Sequence, residues 1–263
     1  MTGPGDEGAA VFAAAIERLL ADGIPEVADV PAASLDLVEG IRNLVEAAVR
    51  TDVDAEVRAE AAQLVSQATK LLQAATNDAV VRFARTPGGR IDQLTQAGSG
   101  MLNPQAPRLV FRDSPDMATK AFAADAEPKS VEVVADCTLS AAHSGPPGRA
   151  HGGVVATLLD HVLGLAASAA GVPGFTAGLD VRYRAATPYD VPLEVRARWT
   201  HCEGRKSFAT GEILAGGRVT AEATAVFIAP PAMRTLWSQG GESASEDGEA
   251  GVDGADAADT VRT

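Results

Sequence analysis

The sequence predicts an α+β protein, with one apolar helix followed by an antiparallel run of strands, a helical extension before it and an acidic tail after it. Apolar residues recur at helical spacing through residues 8 to about 87 and at a period near two from Leu109 onward. Only one strongly apolar helix, within Val154 to Ala170, interrupts the strands. A strand, a helix and then a run of strands is not the order of a doubly wound parallel sheet.

In the extension, Gly8 to Ala21 has helical spacing, Ser34 can cap a second helix running toward Arg50, and Val53 to Ala84 can hold a third, long or interrupted. In that third segment Val57, Ala61, Leu64, Ala68, Leu71 and Ala75 are separated by alternating fours and threes, the spacing of a single packing seam. The alanines make the seam shallow, and it is expected to pack on the main domain or on a second copy of the chain. Thr86-Pro87-Gly88-Gly89 ends the helical pattern, and the stretch through Gly98-Ser99-Gly100 to Pro104 reads as a linker. The expected division is a helical extension over 1–92, a linker over 93–107, the α+β domain over 108–235 and a disordered tail over 236–263, too poor in apolar residues to fold.

Within the domain, Val131, Val133 and Ala135 alternate with polar neighbours, as do Leu179, Val181 and Tyr183, and Leu193, Val195, Ala197 and Trp199. Each set predicts a half-buried strand with one wet face. Glu203-Gly204-Arg205 and Gly216-Gly217-Arg218 supply tight turns into Ser207–Ala215 and Val219–Ala229, so the last three or four strands form a meander.

Charge narrows the partners. The formal charge is −13, with −7 in residues 1–100, 0 in 101–239 and −6 in 240–263. That balance, with only 4% aromatic residues, argues against a nucleic-acid partner. Cys137 and Cys202 are too few for a disulfide scaffold, and His143, His151, His161 and His201 match no metal-ligand spacing, so reduced thiols and no metal are expected. The acidic start lacks the basic and apolar regions of a secretory signal, and the apolar stretch 154–170 is shorter than a bilayer span, so a cytoplasmic protein without a membrane span is expected.

The chemistry falls on the central helix. Two glycines, Gly152 and Gly153, stand at its start, where backbone N–H groups have no intrahelical partner and the macrodipole favours negative charge. Such a terminus stabilises a developing oxyanion. Val155, Leu158, Leu159, Val162, Leu165, Ala166 and Ala169 form one apolar stripe, and Asp160 lies opposite among Gly153, Ala156, Thr157, Gly164 and Ala167. A solvated surface acid is the plain alternative for Asp160. Gly152 and Asp160 are eight residues apart, about 12 Å along a helix. One chain therefore cannot easily bring both to one reacting carbonyl, whereas two chains related by a two-fold axis can.

Residues 145–164 (Gly145-Pro146-Pro147-Gly148-Arg149-Ala150-His151-Gly152-Gly153 through Asp160 to Gly164), with Phe175-Thr176-Ala177-Gly178-Leu179 and Arg184 to Pro188, resemble the hotdog-fold acyl-CoA thioesterases of the PaaI-like branch, in the 4-hydroxybenzoyl-CoA thioesterase superfamily. The specific element is His151-Gly152-Gly153 with Asp160 nine residues after the histidine. The resemblance covers roughly residues 102–232 and leaves out the extension and the tail. It implies a hotdog fold, with Asp160 as general base or nucleophile, the Gly152 N–H as oxyanion donor to the partner's substrate, and His151 holding that loop. It also implies that Thr176 orients the attacking water and that Asn103 to Pro107 precede the first strand of the domain.

Gly153 is assigned to substrate binding, and Arg205 and Lys206 are the better candidates for the phosphates of coenzyme A among the sheet's cations. Arg182, Arg184, Arg196, Arg198 and Arg218 read more simply as a solvated strand face. His143 and His161 are expected at the surface or an interface, and Met117 to Pro128 looks like an insertion. The reading is a homo-oligomeric acyl-CoA thioesterase, dimer or tetramer, with no cofactor. A hotdog enoyl-CoA hydratase and a non-catalytic acyl-CoA-binding regulator are the alternatives.

Overall fold

The computed structural model describes residues 23–77, 80–112 and 131–229. The expected first helix at Gly8–Ala21, the insertion around residues 113–129 and the acidic tail lie outside these residues.

The described chain opens with a short 3-10 turn (Val27–Asp29), followed by α1 (Ala32–Arg50) and α2 (Ala55–Gln73). Helix α1 starts before Ser34, with Pro31 at the cap position, where proline costs no hydrogen bond. Asp54 caps α2 by accepting the Val57 N–H. Every residue of α2 is exposed, its seam included, so within the described chain the seam does not pack on the main domain.

The first 92 residues are not all helical. Strands β1 (Phe83–Arg85) and β2 (Ile91–Gln93) form an antiparallel hairpin through Gly89, whose φ of +83° suits the turn. Phe83 and Ala84 therefore belong to a strand. The sequence 87–89 supplies the reversal that pairs them, which outweighs their helical spacing.

The stretch 93–107 is not an open tether either. Leu94 and Ala106 are buried, and Gly98 and Ser99 close over His161 of the central helix. Arg42 of α1 fastens it further, donating to the carbonyls of Asn103 and Ala106 at 3.2 and 3.1 Å.

The main sheet contains β3 (Leu109–Phe111), β4 (Glu132–Thr138), β5 (Phe175–Tyr183), β6 (Pro192–Glu203), β7 (Lys206–Ala215) and β8 (Arg218–Ile228). Its spatial order is β3-β4-β6-β7-β8-β5, with antiparallel pairs throughout. The meander is thus β6 to β8, and β5 crosses to the far edge to pair with β8. Positive φ angles at Gly204, Gly216 and Gly217 make the two tight turns.

Helix α3 (Gly152–Ala169) lies across the sheet and buries Val155, Leu158, Leu159, Val162, Leu163, Ala166 and Ala167. The buried stripe is rotated from the expected one, taking in Leu163 and Ala167 in place of Leu165 and Ala169. The sheet explains the rotation. Ala197, Gly211 and Ala223 are register neighbours on β6, β7 and β8, and a Cβ on Gly211 would lie 3.2 Å from Leu163 Cδ2. The small row is the bed for Leu163. Each fully buried Val or Leu of this stripe contributes about 1.5–3 kcal/mol. Among the described residues α3 is the one helix long and apolar enough to cross a membrane. Here its apolar face is committed to the sheet.

The interior strands show the expected alternation, Leu193, Val195 and Ala197 of β6 and Ala221, Ala223, Ala225 and Phe227 of β8 being buried. Strand β5 shows it only at Leu179 and Val181, which pack partly buried against the core, while its other seven residues, Tyr183 included, are exposed at an open edge. Cys137 is buried in β4, and burial pushes its thiol up to about 12.

Candidate active site

Helix α3 begins one residue after His151, whose extended backbone and side chain cap it. Its Nδ1 accepts the Gly153 N–H at 3.0 Å. The two glycine N–H groups are therefore not equivalent. The Gly153 donor is satisfied within the loop, while the Gly152 N–H stays in the first turn, where no intrahelical carbonyl can reach it.

Three further contacts hold this loop. The His151 N–H donates to the His143 carbonyl at 2.9 Å, and the Ala150 N–H to the Thr187 carbonyl at 2.8 Å. The Tyr183 hydroxyl donates to the Gly152 carbonyl at 2.8 Å. Tyr183 escaped the sequence reading because its alternation with Leu179 and Val181 marks it only as one more apolar position.

Asp160 is half-buried, two turns along α3. The Thr176 hydroxyl donates to its Oδ1 at 2.9 Å. Simple alternation would point Thr176 away from the face shared by Leu179 and Val181. A bulge corrects this, since Thr176 pairs with Phe227 while Gly178 pairs with the next residue, Val226. The extra residue, Ala177, returns Thr176 to the side of the buried Phe227, which faces α3. The structure thus unites Asp160 with Thr176 and, separately, His151 with Gly152 and Gly153. Both groups lie against the open edge β5, one at each end.

His161 is part-buried. It points away from Asp160, its Nε2 2.5 Å from Ser99 Oγ and its ring edge-on to Phe111. Burial pushes it down to about 4, with Asp92 opposing and Arg90 adding to the shift. His143 is also part-buried, its Nδ1 accepting the Ser140 N–H at 3.0 Å. Burial holds it below the usual histidine range.

Arg205 and Lys206 are exposed at the β6–β7 turn. Lys206 pairs with Ile228, which pairs with Phe175, so the turn is at the Thr176 end of the sheet. Arg182, Arg196 and Arg198 instead line a depression of about 710 Å³ on the other face, beside Glu132, Asp180, Glu212 and Glu222. Arg196 is paired with Glu194, and Arg182 lies 3.4 Å from Asp180. These cations are balanced by acids on a solvated strand face, as the sequence suggested.

A helix capped by His151, lying across an antiparallel sheet with Asp160 on its exposed side, defines a hotdog domain. Residues 147–224 match the model of the thioesterase superfamily. A crystal structure of a thioesterase superfamily protein, RHA08564, is similar at 29% identity and a TM-score of 0.60, covering 78% of this chain and 97% of that one. That coverage exceeds what residues 108–263 could supply, so the likeness takes in part of the extension. A hypothetical thioesterase from Streptococcus pneumoniae, solved with coenzyme A, matches at 24% identity over 40% of this chain and 84% of its own, with a TM-score of 0.36. The phenylacetic acid degradation protein PaaI of Thermus thermophilus, as a mutant, matches at 24% identity over 38% and 85%, with a TM-score of 0.35.

Proposed function

We propose that the chain is an acyl-CoA thioesterase, cutting an acyl-CoA to the free acid and coenzyme A at a site shared by two copies. The observation that carries this is the Thr176–Asp160 hydrogen bond at one end of the open strand β5, with the Tyr183–Gly152 hydrogen bond at the other. An exposed edge strand is a template for pairing. Antiparallel pairing of β5 with its copy about Leu179 would bring Phe175 beside the partner strand's far end, and so Asp160 toward the second copy's oxyanion donor. Within one chain the two groups are about 12 Å apart.

In this reading the thioester carbonyl oxygen takes the Gly152 N–H of one copy. Asp160 of the other takes a proton from water as the water oxygen attacks the carbonyl carbon, or attacks that carbon itself. In the first case the C–S bond then breaks and the sulfur leaves as the thiol with the proton that Asp160 took. In the second it breaks to a thiolate and an acyl–Asp160 anhydride, which water hydrolyses to the free acid and the Asp160 carboxylate while one water proton passes to the thiolate. Thr176 donates to Oδ1, which leaves Oδ2 free for the reaction and the hydroxyl lone pairs free to accept from the water. Arg205 and Lys206 would meet coenzyme A phosphates. The proposed unit is the hotdog domain over 108–235, with residues 93–107 as a clamp on it, in the cytoplasm.

The hydratase alternative needs a histidine working with Asp160 on one substrate. Within the chain, the His161 ring is engaged by Ser99 and the His151 Nδ1 caps the helix, which disfavours it. A panel of acyl-CoAs assayed for thiol release tests the proposal. Release by the wild type is expected. Acyl-CoA binding with no release across the panel would leave the regulator reading in its place.

A further inference from the structure

Helix α1 lies outside the hotdog domain, yet it touches the domain beside the oxyanion end of α3. It packs on the short 3-10 turn Ala141–His143. Glu46 makes the polar contact, its Oε2 accepting the Ala142 N–H at 3.3 Å, with the Ser140 side chain also on the carboxylate. Arg50 pairs with the same carboxylate and, through its other arm, with Asp190 Oδ2 at 2.5 Å. Asp190 in turn donates its N–H to the Leu139 carbonyl at 2.7 Å. The two residues grip both sides of the chain entering the turn.

The turn carries the grip onward. The Ser140 N–H donates to His143 Nδ1, and the His143 carbonyl accepts the His151 N–H at 2.9 Å. His151 caps α3 and immediately precedes Gly152. We propose that Glu46 is a positioning residue for this site, fixing the Ala141–His143 turn so that the His143 carbonyl holds His151 and the Gly152 N–H in register. The extension then belongs to the catalytic scaffold.

The proposal rests on the thioesterase reading for its effect on rate but not for its effect on structure. An oxyanion donor works only when held near its productive position, and a shift of about 1 Å can cost up to about a hundredfold. Part of that is expected here, because the Thr187 and Tyr183 contacts remain and Ser140 Oγ also accepts the Ala142 N–H at 3.2 Å.

The experiment compares the full-length wild type with Glu46→Ala, Glu46→Gln and Glu39→Ala. Glu39 also ties α1 to the domain, but through Arg108 and away from the turn. Two readouts are taken, acyl-CoA turnover and amide hydrogen exchange at His151 and Gly153. Glu46→Ala should speed exchange at both amides at least about fivefold and lower kcat about tenfold with KM within about twofold. Glu46→Gln keeps an acceptor for the Ala142 N–H and should restore most of both, and Glu39→Ala should match the wild type. Unchanged exchange in folded Glu46→Ala overturns the proposal whatever the turnover, as does an equal loss in Glu39→Ala. A wild type that turns over no acyl-CoA sinks the thioesterase reading alone, because the exchange comparison still decides the role of Glu46.

Discussion

The Thr176 hydroxyl meets Asp160 Oδ1 at 2.9 Å because the β5–β8 pairing absorbs the extra residue Ala177 in a bulge. Deleting Ala177 would remove the bulge and leave Thr176 two positions from Leu179, still paired with Phe227 on the Asp160 face by plain alternation. Thr176→Ala should therefore lower acyl-CoA turnover about tenfold or more, while Thr176→Ser and the deletion keep most of it. Steady-state kinetics on the three variants checks this. A Thr176→Ala variant that folds and keeps the wild-type rate would separate Thr176 from the chemistry.

His161 links stability to pH. An unfolded histidine titrates near 6.5, whereas His161, buried under Gly98 and Ser99, is pushed down to about 4 despite nearby Asp92. Between those values the unfolded chain holds the extra proton. The neutral ring's contribution is thus full above about pH 6.5 and falls as pH drops toward 4, by about 3 kcal/mol at most. Urea unfolding across this window should show a shallower pH dependence for His161→Gln than for the wild type. Parallel curves would mean that His161 titrates alike in both states.

Gly211 tests the packing of α3. A Cβ there would lie 2.6 Å from the Arg196 carbonyl oxygen and 3.2 Å from Leu163 Cδ2. Sheet backbone cannot yield cheaply, so Gly211→Ala should cost about 1–3 kcal/mol and lower Tm by roughly 3–10 °C. Gly40→Ala, on a helix face with open space, should leave Tm equal or slightly higher. Calorimetry of both variants settles it, and an unchanged Tm for Gly211→Ala would remove the account of the Ala197-Gly211-Ala223 bed.

Much of this was legible in the sequence. The strand-helix-strand order, the glycine turns at 204 and 216–217, and the helix start after His151 are local patterns, and local patterns survive in one dimension. What escaped depends on contacts between distant segments. The inward turn of Thr176 needs the bulge register. Phe83 joins a hairpin through a partner strand beyond Gly89. His161 is enclosed by residues 98–99, which read as a linker because glycines that permit close approach look like glycines that permit flexibility. Tyr183 and Glu46 carry no motif and are found only by their partners.

The shared site is the central claim, and mixed oligomers test it most directly. Gly152→Pro removes the proposed oxyanion N–H at the first helical position, where proline is tolerated. His151, with φ −67° and ψ 135°, already has the backbone that precedes a proline, and the tightest new contact is with the tip of the exposed Tyr183. Asp160→Ala removes the carboxylate. Each variant alone should lose at least about a hundredfold in acyl-CoA hydrolysis. In a purified heterodimer both lesions fall in one site, and the other retains an intact Asp160 and an intact Gly152 N–H. Such heterodimers should regain about half of the wild-type rate, whereas folded heterodimers as inactive as their parents would contradict a site built from two chains.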